Sequence, residues 1–244
     1  RPLGRSGELY PCAFGGPADA AARRAIALIG DSHAAHWRAA VGVVAAARGW
    51  TATSLTRSSC PFSRARVIIA SDPAACRRWN RQVVAWLTRH REVSTIFLSA
   101  RANARYVRTR RSRSNFETAV EGHLALWRAL PETVRSIIVL RDTPLDSSRA
   151  QDCVRRAYAR RQPGGVACAR ERRVALPRDP AVSAARRIGG RVHVLDMTHY
   201  FCGSARCYPI VGGALVHKDA DHITATYAKT LGPFMLPAVD DLVL

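Results

Sequence analysis

A short apolar run at 25–29 ends at Gly30-Asp31-Ser32 and is followed by an alanine-rich segment. An apolar run of this length, closed by glycine, is typical of a strand buried on both faces of a parallel sheet. The glycine gives the backbone the freedom for a tight turn, and the segment after it predicts a helix. The sequence therefore predicts a strand–turn–helix unit of an α/β fold. It places Ser32 at the carboxyl edge of the sheet, where such folds bind ligands.

The hydroxyl of Ser32 has two interpretations. As a nucleophile, it would lie beside the N-terminus of the next helix, whose free N–H groups can stabilise an oxyanion. As a structural residue, it would only cap that helix. Both interpretations fit this segment, so the choice depends on whether the chain supplies a base.

A candidate base lies near the other end of the chain, where Asp219 and His222 are three positions apart. This spacing puts both side chains on one side of a turn. A serine nucleophile needs a base to take its proton, and the base works best when a carboxylate fixes its tautomer. The sequence therefore predicts Ser32 as nucleophile, His222 as general base and Asp219 as the residue that orients His222.

These two segments together resemble the SGNH hydrolase family, whose first block is G-D-S and whose last block is D-x-x-H. The resemblance is closer to the branch fused behind membrane acyltransferase-3 proteins, which O-acetylate bacterial surface polysaccharides. That branch looks like this chain in its G-D-S-H-A block, here 30–34, and in its S-C-P element, here 59–61. It also has a cysteine-flanked tract before D-x-x-H, matched here from Cys202 and Cys207 to Asp219.

The resemblance implies a three-layer α/β/α sandwich with a parallel, flavodoxin-like sheet. It implies that Ser32 forms an acyl-enzyme, expected to be acetyl, and passes the group to a cell-envelope glycan; an acyl esterase is the alternative. A membrane acyltransferase domain of the same protein would supply the acyl group. The implied location is the periplasmic or extracellular face of a bacterial membrane, within a larger membrane protein.

A second class of function is a non-catalytic module that binds a glycan or a membrane surface on the same fold. Such a module would hold Ser32 and His222 beyond hydrogen-bond reach.

One block departs from the broad family pattern, which has G-x-N-D after the third strand. This chain has Ser99-Ala100-Arg101-Ala102-Asn103 there. Because the usual asparagine contributes to the oxyanion hole, Arg101 is predicted as a charged substitute and Asn103 as a weaker one. A solvated arginine at a strand end is the alternative for Arg101. The family's glycine block has no clear counterpart, and the loop around Ser58 occupies the equivalent stretch.

The length of 244 residues suits one α/β domain with a substantial core. We expect residues 1–24 to be an extended lead-in from a missing upstream membrane domain and residues 25–244 to be the catalytic domain. No apolar run is long enough to span a bilayer, and the first residues do not resemble a signal peptide.

The net charge of +20 raises the question of an anionic partner. Nucleic acid is not favoured, because the basic residues are scattered as pairs over many segments. An acidic glycan or an anionic membrane surface would be attracted equally well.

The chain has seven cysteines, and six of them fall into local pairs within loop-like tracts. In an oxidising compartment the pairs would close loops, whereas in the cytosol they would be free thiols. We favour disulfides between Cys60 and Cys76, Cys153 and Cys168, and Cys202 and Cys207. Cys12 is left over, to pair upstream or stay free.

The remaining patterns complete an α/β chain with about five strands and five helices. Strands are predicted at 25–29, 51–55, 94–99, 136–140 and 192–195. Helices are predicted at 33–48, 76–90, 116–130, 181–188 and 223–231, with 145–180 irregular. His33 and His36 are predicted to point away from the site. No cluster has the spacing of a metal site and no nucleotide-binding signature is present, so neither a metal nor a cofactor is predicted.

Overall fold

The structure, a computed structural model, describes residues 8–15, 24–68, 72–109 and 114–243. Within these ranges the chain forms a six-stranded sheet and two small two-stranded sheets. The strands are β1 (Cys12–Phe14), β2 (Ala25–Gly30), β3 (Thr51–Thr56), β4 (Val93–Ser99), β5 (Ser136–Leu140), β6 (Arg170–Glu171), β7 (Val192–Leu195), β8 (Arg206–Cys207), β9 (Ile210–Val211) and β10 (Ala214–Leu215).

The main sheet has the order β1-β3-β2-β4-β5-β7. Its strands β3, β2, β4, β5 and β7 are all parallel and follow the flavodoxin-like order that was predicted. The order reverses around β2, because β3 lies on one side of it and β4 on the other. In open α/β sheets the crevice at such a reversal is where ligands bind.

The sixth strand was not predicted. β1 pairs antiparallel with β3, with Cys12 opposite Ser54 and Phe14 opposite Ala52. It falls within 1–24, the segment predicted as a lead-in; residues 1–7 and 16–23 of that segment lie outside the described residues. A strand of three residues between glycines and prolines is too short to give a periodic sequence signal.

Helices cover both faces of the sheet, which confirms the predicted three layers. α2 and α9 pack together on one face, while α3, α4 and α8 lie on the other. The helices are α1 (Ser32–Ala35), α2 (Arg38–Arg48), α3 (Pro73–Arg89), α4 (Asn115–Trp127), α5 (Ala150–Ala159), α6 (Gly164–Ala167), α7 (Arg172–Ala175), α8 (Pro180–Ile188) and α9 (Ala225–Val243).

The sequence of β2 explains its central position. Side chains alternate across a strand, and here Ile26 and Leu28 enter the core beneath α2 and α9. Ala27 and Ile29 enter the core on the opposite face. All four are fully buried, as an uninterrupted apolar run in a parallel sheet requires.

Three disulfides are present, and they join the pairs favoured from the sequence. Cys60 bonds to Cys76, Cys153 to Cys168, and Cys202 to Cys207. Cys12 is free and exposed. Cys76 lies in α3 and Cys153 in α5, so two of the disulfides tie a loop residue to a helix, and none joins two strands of the main sheet.

Two helical predictions were wrong in extent. The helix predicted at 33–48 is interrupted at His36 and Trp37, so α1 and α2 are separate. The helix predicted at 223–231 continues to Val243 through Pro233 and Pro237. Each proline removes one backbone donor, but packing of α9 against α2 maintains the helix.

The stretch 145–180, predicted as irregular, contains the helices α5, α6 and α7. These are short, and the apolar side chains of α6 are not buried, so no periodic apolar face marks it in the sequence. Within the described ranges, no helix combines the length and apolar character needed to cross a membrane.

Candidate active site

Ser32 is the first residue of α1, directly after β2 at the reversal of the sheet. Gly30 makes this turn possible, because its φ is +147° and a Cβ there would lie 2.0 Å from the Ser99 carbonyl oxygen. Asp31, rather than Ser32, caps α1: its Oδ1 accepts a hydrogen bond of 2.8 Å from the His33 N–H. The capping interpretation of Ser32 is therefore wrong, and its hydroxyl has a different partner.

That partner is His222, in the loop before α9. His222 Nε2 lies 2.8 Å from Ser32 Oγ, across 190 positions of sequence. His222 Nδ1 lies 3.0 Å from both carboxylate oxygens of Asp219. The structure thus brings the three residues into one chain of hydrogen-bond contacts.

Asp219 is held by the backbone as well as by the imidazole. Its Oδ1 accepts hydrogen bonds from the backbone N–H groups of Asp221 and His222. Burial alone would raise the pKa of the Asp219 carboxyl, but these N–H groups and His222 more than offset it and hold the pKa below its usual value. The acid is therefore kept ionised beside the imidazole.

Asp221 is a second acid at the same imidazole, and sequence reasoning missed it. Its Oδ1 lies 3.0 Å from His222 Nδ1, and its Oδ2 lies 2.7 Å from Arg101 Nη2. Its side chain is 12% exposed, against 47% for Asp219. The sequence feature that could have identified it is its position directly before the predicted base, His222.

Three residues were predicted to assist Ser32: Arg101, Asn103 and Ser58. They do not lie together in the structure. The Arg101 guanidinium is engaged by Asp221 and also donates from Nε to Asn103 Oδ1 at 2.8 Å. Its backbone N–H donates to Asp31 Oδ2 at 3.0 Å. Arg101 and Asn103 thus hold each other beside the site, whereas Ser58 lines the same cleft as Ser32.

His33 does not point away from the site, so that prediction was wrong. It is fully buried, its ring centroid lies 5.0 Å from that of His222, and its Nδ1 is 2.6 Å from Asp142 Oδ1. Burial acts to lower the pKa of His33, but Asp142, with help from Asp31 and Asp221, outweighs it and raises the pKa to about 9. A buried imidazolium–carboxylate pair therefore underlies the site.

His36 is buried without such a partner. It is 9% exposed, and neither ring nitrogen has a hydrogen-bond partner among the described residues. Burial, with the positive charge of His33 nearby, lowers its pKa well below the usual value. The packing role predicted for His36 fits these observations, although it also lines the cleft beside Ser32.

The sequence has no motif with metal-ligand spacing, but the fold brings possible ligand side chains from distant segments close together. In the described part of the chain, two sets of three side chains have ligand atoms within 4.8 Å of one another. The sets are His33, His36 and Asp142, and His33, Asp221 and His222. Both share His33, whose imidazole is already engaged with Asp142.

A cleft of about 890 Å³ opens beside the Ser32 hydroxyl. One wall is the exposed side of α2, and the segments that carry His222 and the end of β1 border it. No hydrogen bond from the Ser32 backbone N–H is found within the described ranges, so this donor is free at the helix N-terminus.

The sequence matches the family model of the SGNH domain (fused to AT3 domains) over residues 2–237. The chain belongs to this family. The resemblance drawn from the sequence motifs is thereby confirmed. SGNH membership supports an acyltransferase or hydrolase-like function and, because the family is fused to AT3 domains, a membrane acyltransferase partner domain.

Among solved structures, the SGNH domain is similar to the periplasmic domain of the lipopolysaccharide acetyltransferase of Salmonella ser. Paratyphi A. The TM-score is 0.65 at 13% identity, covering 89% of this chain and 84% of that chain. At this identity the similarity establishes the fold. No curated protein matches the sequence significantly.

Proposed function

We propose that this SGNH domain is a serine-dependent O-acyltransferase that carries an acyl group, acetyl in the simplest case, on Ser32. The observation that carries the proposal is the contact of 2.8 Å between Ser32 Oγ and His222 Nε2, continued by His222 Nδ1 to Asp219. A hydroxyl, an imidazole and a carboxylate in this order form the arrangement that activates a serine nucleophile.

In the first half-reaction, Ser32 Oγ attacks the carbonyl carbon of the acyl donor while His222 Nε2 takes the hydroxyl proton. His222 then returns this proton to the departing group as the donor bond breaks, which leaves the acyl-enzyme. In the second half-reaction, His222 takes a proton from the acceptor hydroxyl, whose oxygen attacks the acyl carbon. Ser32 leaves as the alkoxide and recovers its proton from His222.

Asp219 holds His222 Nδ1–H and thereby presents Nε2 to Ser32 as an acceptor. Once His222 is protonated, Asp219 and Asp221 both face the cationic ring, so two carboxylates stabilise it. Arg101 pairs with Asp221 and fixes its orientation, which assigns the guanidinium to the base side of the site. The free Ser32 N–H is the first oxyanion donor in this proposal.

The domain would act at the periplasmic or extracellular face of a membrane, with the AT3 domain of the same protein supplying the acyl group and a cell-envelope glycan receiving it. The Salmonella neighbour supports this setting, since it is the periplasmic domain of a lipopolysaccharide acetyltransferase. An acyl esterase would use the same acyl-enzyme with water in place of the glycan. The contact between Ser32 and His222 weighs against a purely binding module.

Replacing the nucleophile tests the proposal. Ser32→Ala removes the oxygen that accepts the acyl group, and we expect turnover of p-nitrophenyl acetate to fall by about 10³-fold or more. The acetyl adduct on the peptide containing Ser32, measured by mass spectrometry after a rapid acid quench, should be absent. Ser204→Ala, at an exposed serine, is the matched control and should retain both the rate and the adduct. Undiminished turnover by Ser32→Ala would contradict the proposal.

A further inference from the structure

We infer that the acceptor is an anionic glycan, bound along the cleft beside Ser32 through Arg38, Lys218 and Lys229. The inference rests on the proposed function, because it takes the cleft as the place where the acceptor hydroxyl reaches the acyl-enzyme. It adds the charge of the substrate and the side chains that recognise that charge.

The shape of the cleft suits a chain of sugars. Its volume of about 890 Å³ lies near the upper end of the range of small-molecule sites, roughly 300–1,000 Å³, so it has room for more than one sugar ring. Small apolar residues from the end of α1 and from α2 line its length: Ala35, Ala39, Gly42, Val43 and Ala46. Their spacing keeps them on one side, which leaves a smooth wall against which the C–H faces of sugar rings can pack.

The charged side chains that line the cleft are mainly cationic. Arg38, Lys218 and Lys229 line it, and none has a carboxylate within ion-pair distance in the described part of the chain. Among the described residues of the lining, Asp219 is the one acidic side chain, and it is engaged by His222. By contrast, Arg48 and Arg187, outside the cleft, are paired with Asp240 and Glu117.

Arg38 is oriented before any ligand arrives. Its Nη2 donates to Ser54 Oγ at 3.0 Å, and Ser54 belongs to β3 and is 1% exposed. An arginine fixed by a buried hydroxyl loses less conformational entropy when it binds a carboxylate or phosphate. It can also present more than one N–H donor to the same anion.

The arrangement favours a soluble anionic chain over a membrane surface. The cations lie around a concave, partly apolar cleft that also contains Ser32 and His222. An anion on the acceptor can therefore contact them while a neighbouring hydroxyl lies at the acyl-enzyme. A lipid headgroup bound by the same cations would instead occupy the space that the acceptor needs.

The test compares two acceptors of the same linkage that differ only at C6: a galacturonic acid trisaccharide, with a carboxylate there, and the galactose trisaccharide, with a hydroxymethyl group; transfer is counted at the ring hydroxyls that both share. The acetyl-enzyme is formed from p-nitrophenyl acetate, and the ratio of transfer to hydrolysis is measured against acceptor concentration. This ratio compares two fates of one intermediate, so it is independent of how fast that intermediate forms. We expect the acidic trisaccharide to be preferred at low salt by about fivefold or more, and the preference to shrink as salt screens the charges.

Lys229→Glu should lower this preference by about fivefold, because it reverses one charge in the cleft. Arg135→Glu is the matched control: it makes the same change of charge at an exposed residue before the amino end of β5, at the opposite edge of the sheet. That variant should keep the preference and the rate of the unmodified protein.

Equal ratios for the two trisaccharides, or a preference that survives Lys229→Glu, would overturn the inference. So would a result in which phosphatidylglycerol vesicles block the transfer but the two trisaccharides behave alike, since the cations would then serve a lipid surface. In all of these cases the acetyl-enzyme still forms, whereas failure of the proposed function would appear as its absence.

Discussion

At the scale of single residues, a buried ion pair between His33 and Asp142 lies beneath the candidate site. His33 Nδ1 contacts Asp142 at 2.6 Å, and its Nε2 faces Asp221 at 3.9 Å. Asp142 Oδ2 also accepts the backbone N–H of Ala102 at 2.8 Å. His33 thus links the ends of β4 and β5 to the segment that carries His222.

We predict that this pair makes stability depend on pH. The pKa of His33 is raised from 6.5 to about 9, so between these values the folded state binds more protons than the unfolded state. Its contribution, on the order of 3 kcal/mol, is fully present below about pH 6.5 and is lost as pH rises through about 9. Urea unfolding at about pH 6 and about pH 9.5 should show this loss in the unmodified protein.

His33→Gln should lower the urea midpoint at the lower pH and remove much of the fall between the two pH values. The ionisable side chains that face His33 are unchanged in this variant; they are Asp31, Asp142, Asp221, His36 and His222. His199→Gln, at an exposed histidine, should behave like the unmodified protein. An unchanged pH dependence in His33→Gln would contradict the prediction.

Single residues also mark how far the sequence can predict the site. Ser32, Asp219 and His222 stand in short motifs whose spacing carries chemistry, so each could be named from the sequence. The pairing of His33 with Asp142 spans 109 positions, and nothing local to either residue marks it. Helical spacing predicts that the His33 side chain points away from Ser32. That prediction assumes a long continuous helix, whereas α1 ends after one turn.

At the scale of elements, α2 and α9 hold the loop of His222 against the sheet. α9 begins three residues after His222, and Gly232 of α9 lies close against α2. A Cβ at Gly232 would lie 2.4 Å from Val43 Cβ and 3.0 Å from the Ala40 carbonyl oxygen. The glycine is therefore required by packing, not by backbone conformation.

Gly232→Ala should destabilise the protein by about 1–3 kcal/mol, because the clash with α2 exceeds the gain in helix propensity of about 1 kcal/mol. Thermal unfolding followed by circular dichroism measures the effect. Gly203→Ala is the control, since its Cβ would meet the Tyr208 hydroxyl at an ordinary 3.4 Å and no positive φ is required. An unchanged or higher melting temperature for Gly232→Ala would show that the helices can move apart.

The elements of the sheet were the most predictable part of the fold. Strands 136–140 and 192–195 have the predicted bounds: the first is an apolar run after Ser136 in the middle of the sheet, and the second is a short, mostly apolar edge strand interrupted by His193. The three helices between Ala150 and Ala175 were missed, since they lie outside the layered core and a disulfide ties α5 to the residue after α6. Their stability comes from covalent and loop contacts, which leave little periodicity in a sequence.

At the scale of the whole molecule, two of the three disulfides lie in segments that flank residues of the site in the sequence. Cys202–Cys207 lies between β7 and the segment of His222, and Cys60–Cys76 closes the loop that follows Ser58. Both of these disulfides are buried in the cores that flank the sheet, but neither joins two strands of the main sheet. Reduction should therefore loosen these loops and the core around them while the strand order is kept.

We expect dithiothreitol to lower the urea midpoint, because each native disulfide contributes about 2–4 kcal/mol by restricting the unfolded chain. Far-ultraviolet circular dichroism in the absence of urea should change little. Cys12→Ser, which alters the exposed free thiol alone, should respond to dithiothreitol as the unmodified protein does. A urea midpoint that is the same with and without dithiothreitol would contradict this expectation.

The short strand β1 forms one edge of the main sheet and borders the cleft. It is three residues long and lies at the margin of the sheet, where few hydrogen bonds oppose local opening. Phe14 ends β1, Gly15 follows it, and both border the cleft. Fraying of this strand would widen the entrance before the rest of the fold loosens. Access to Ser32 is thereby coupled to local opening of the strand at the margin of the sheet.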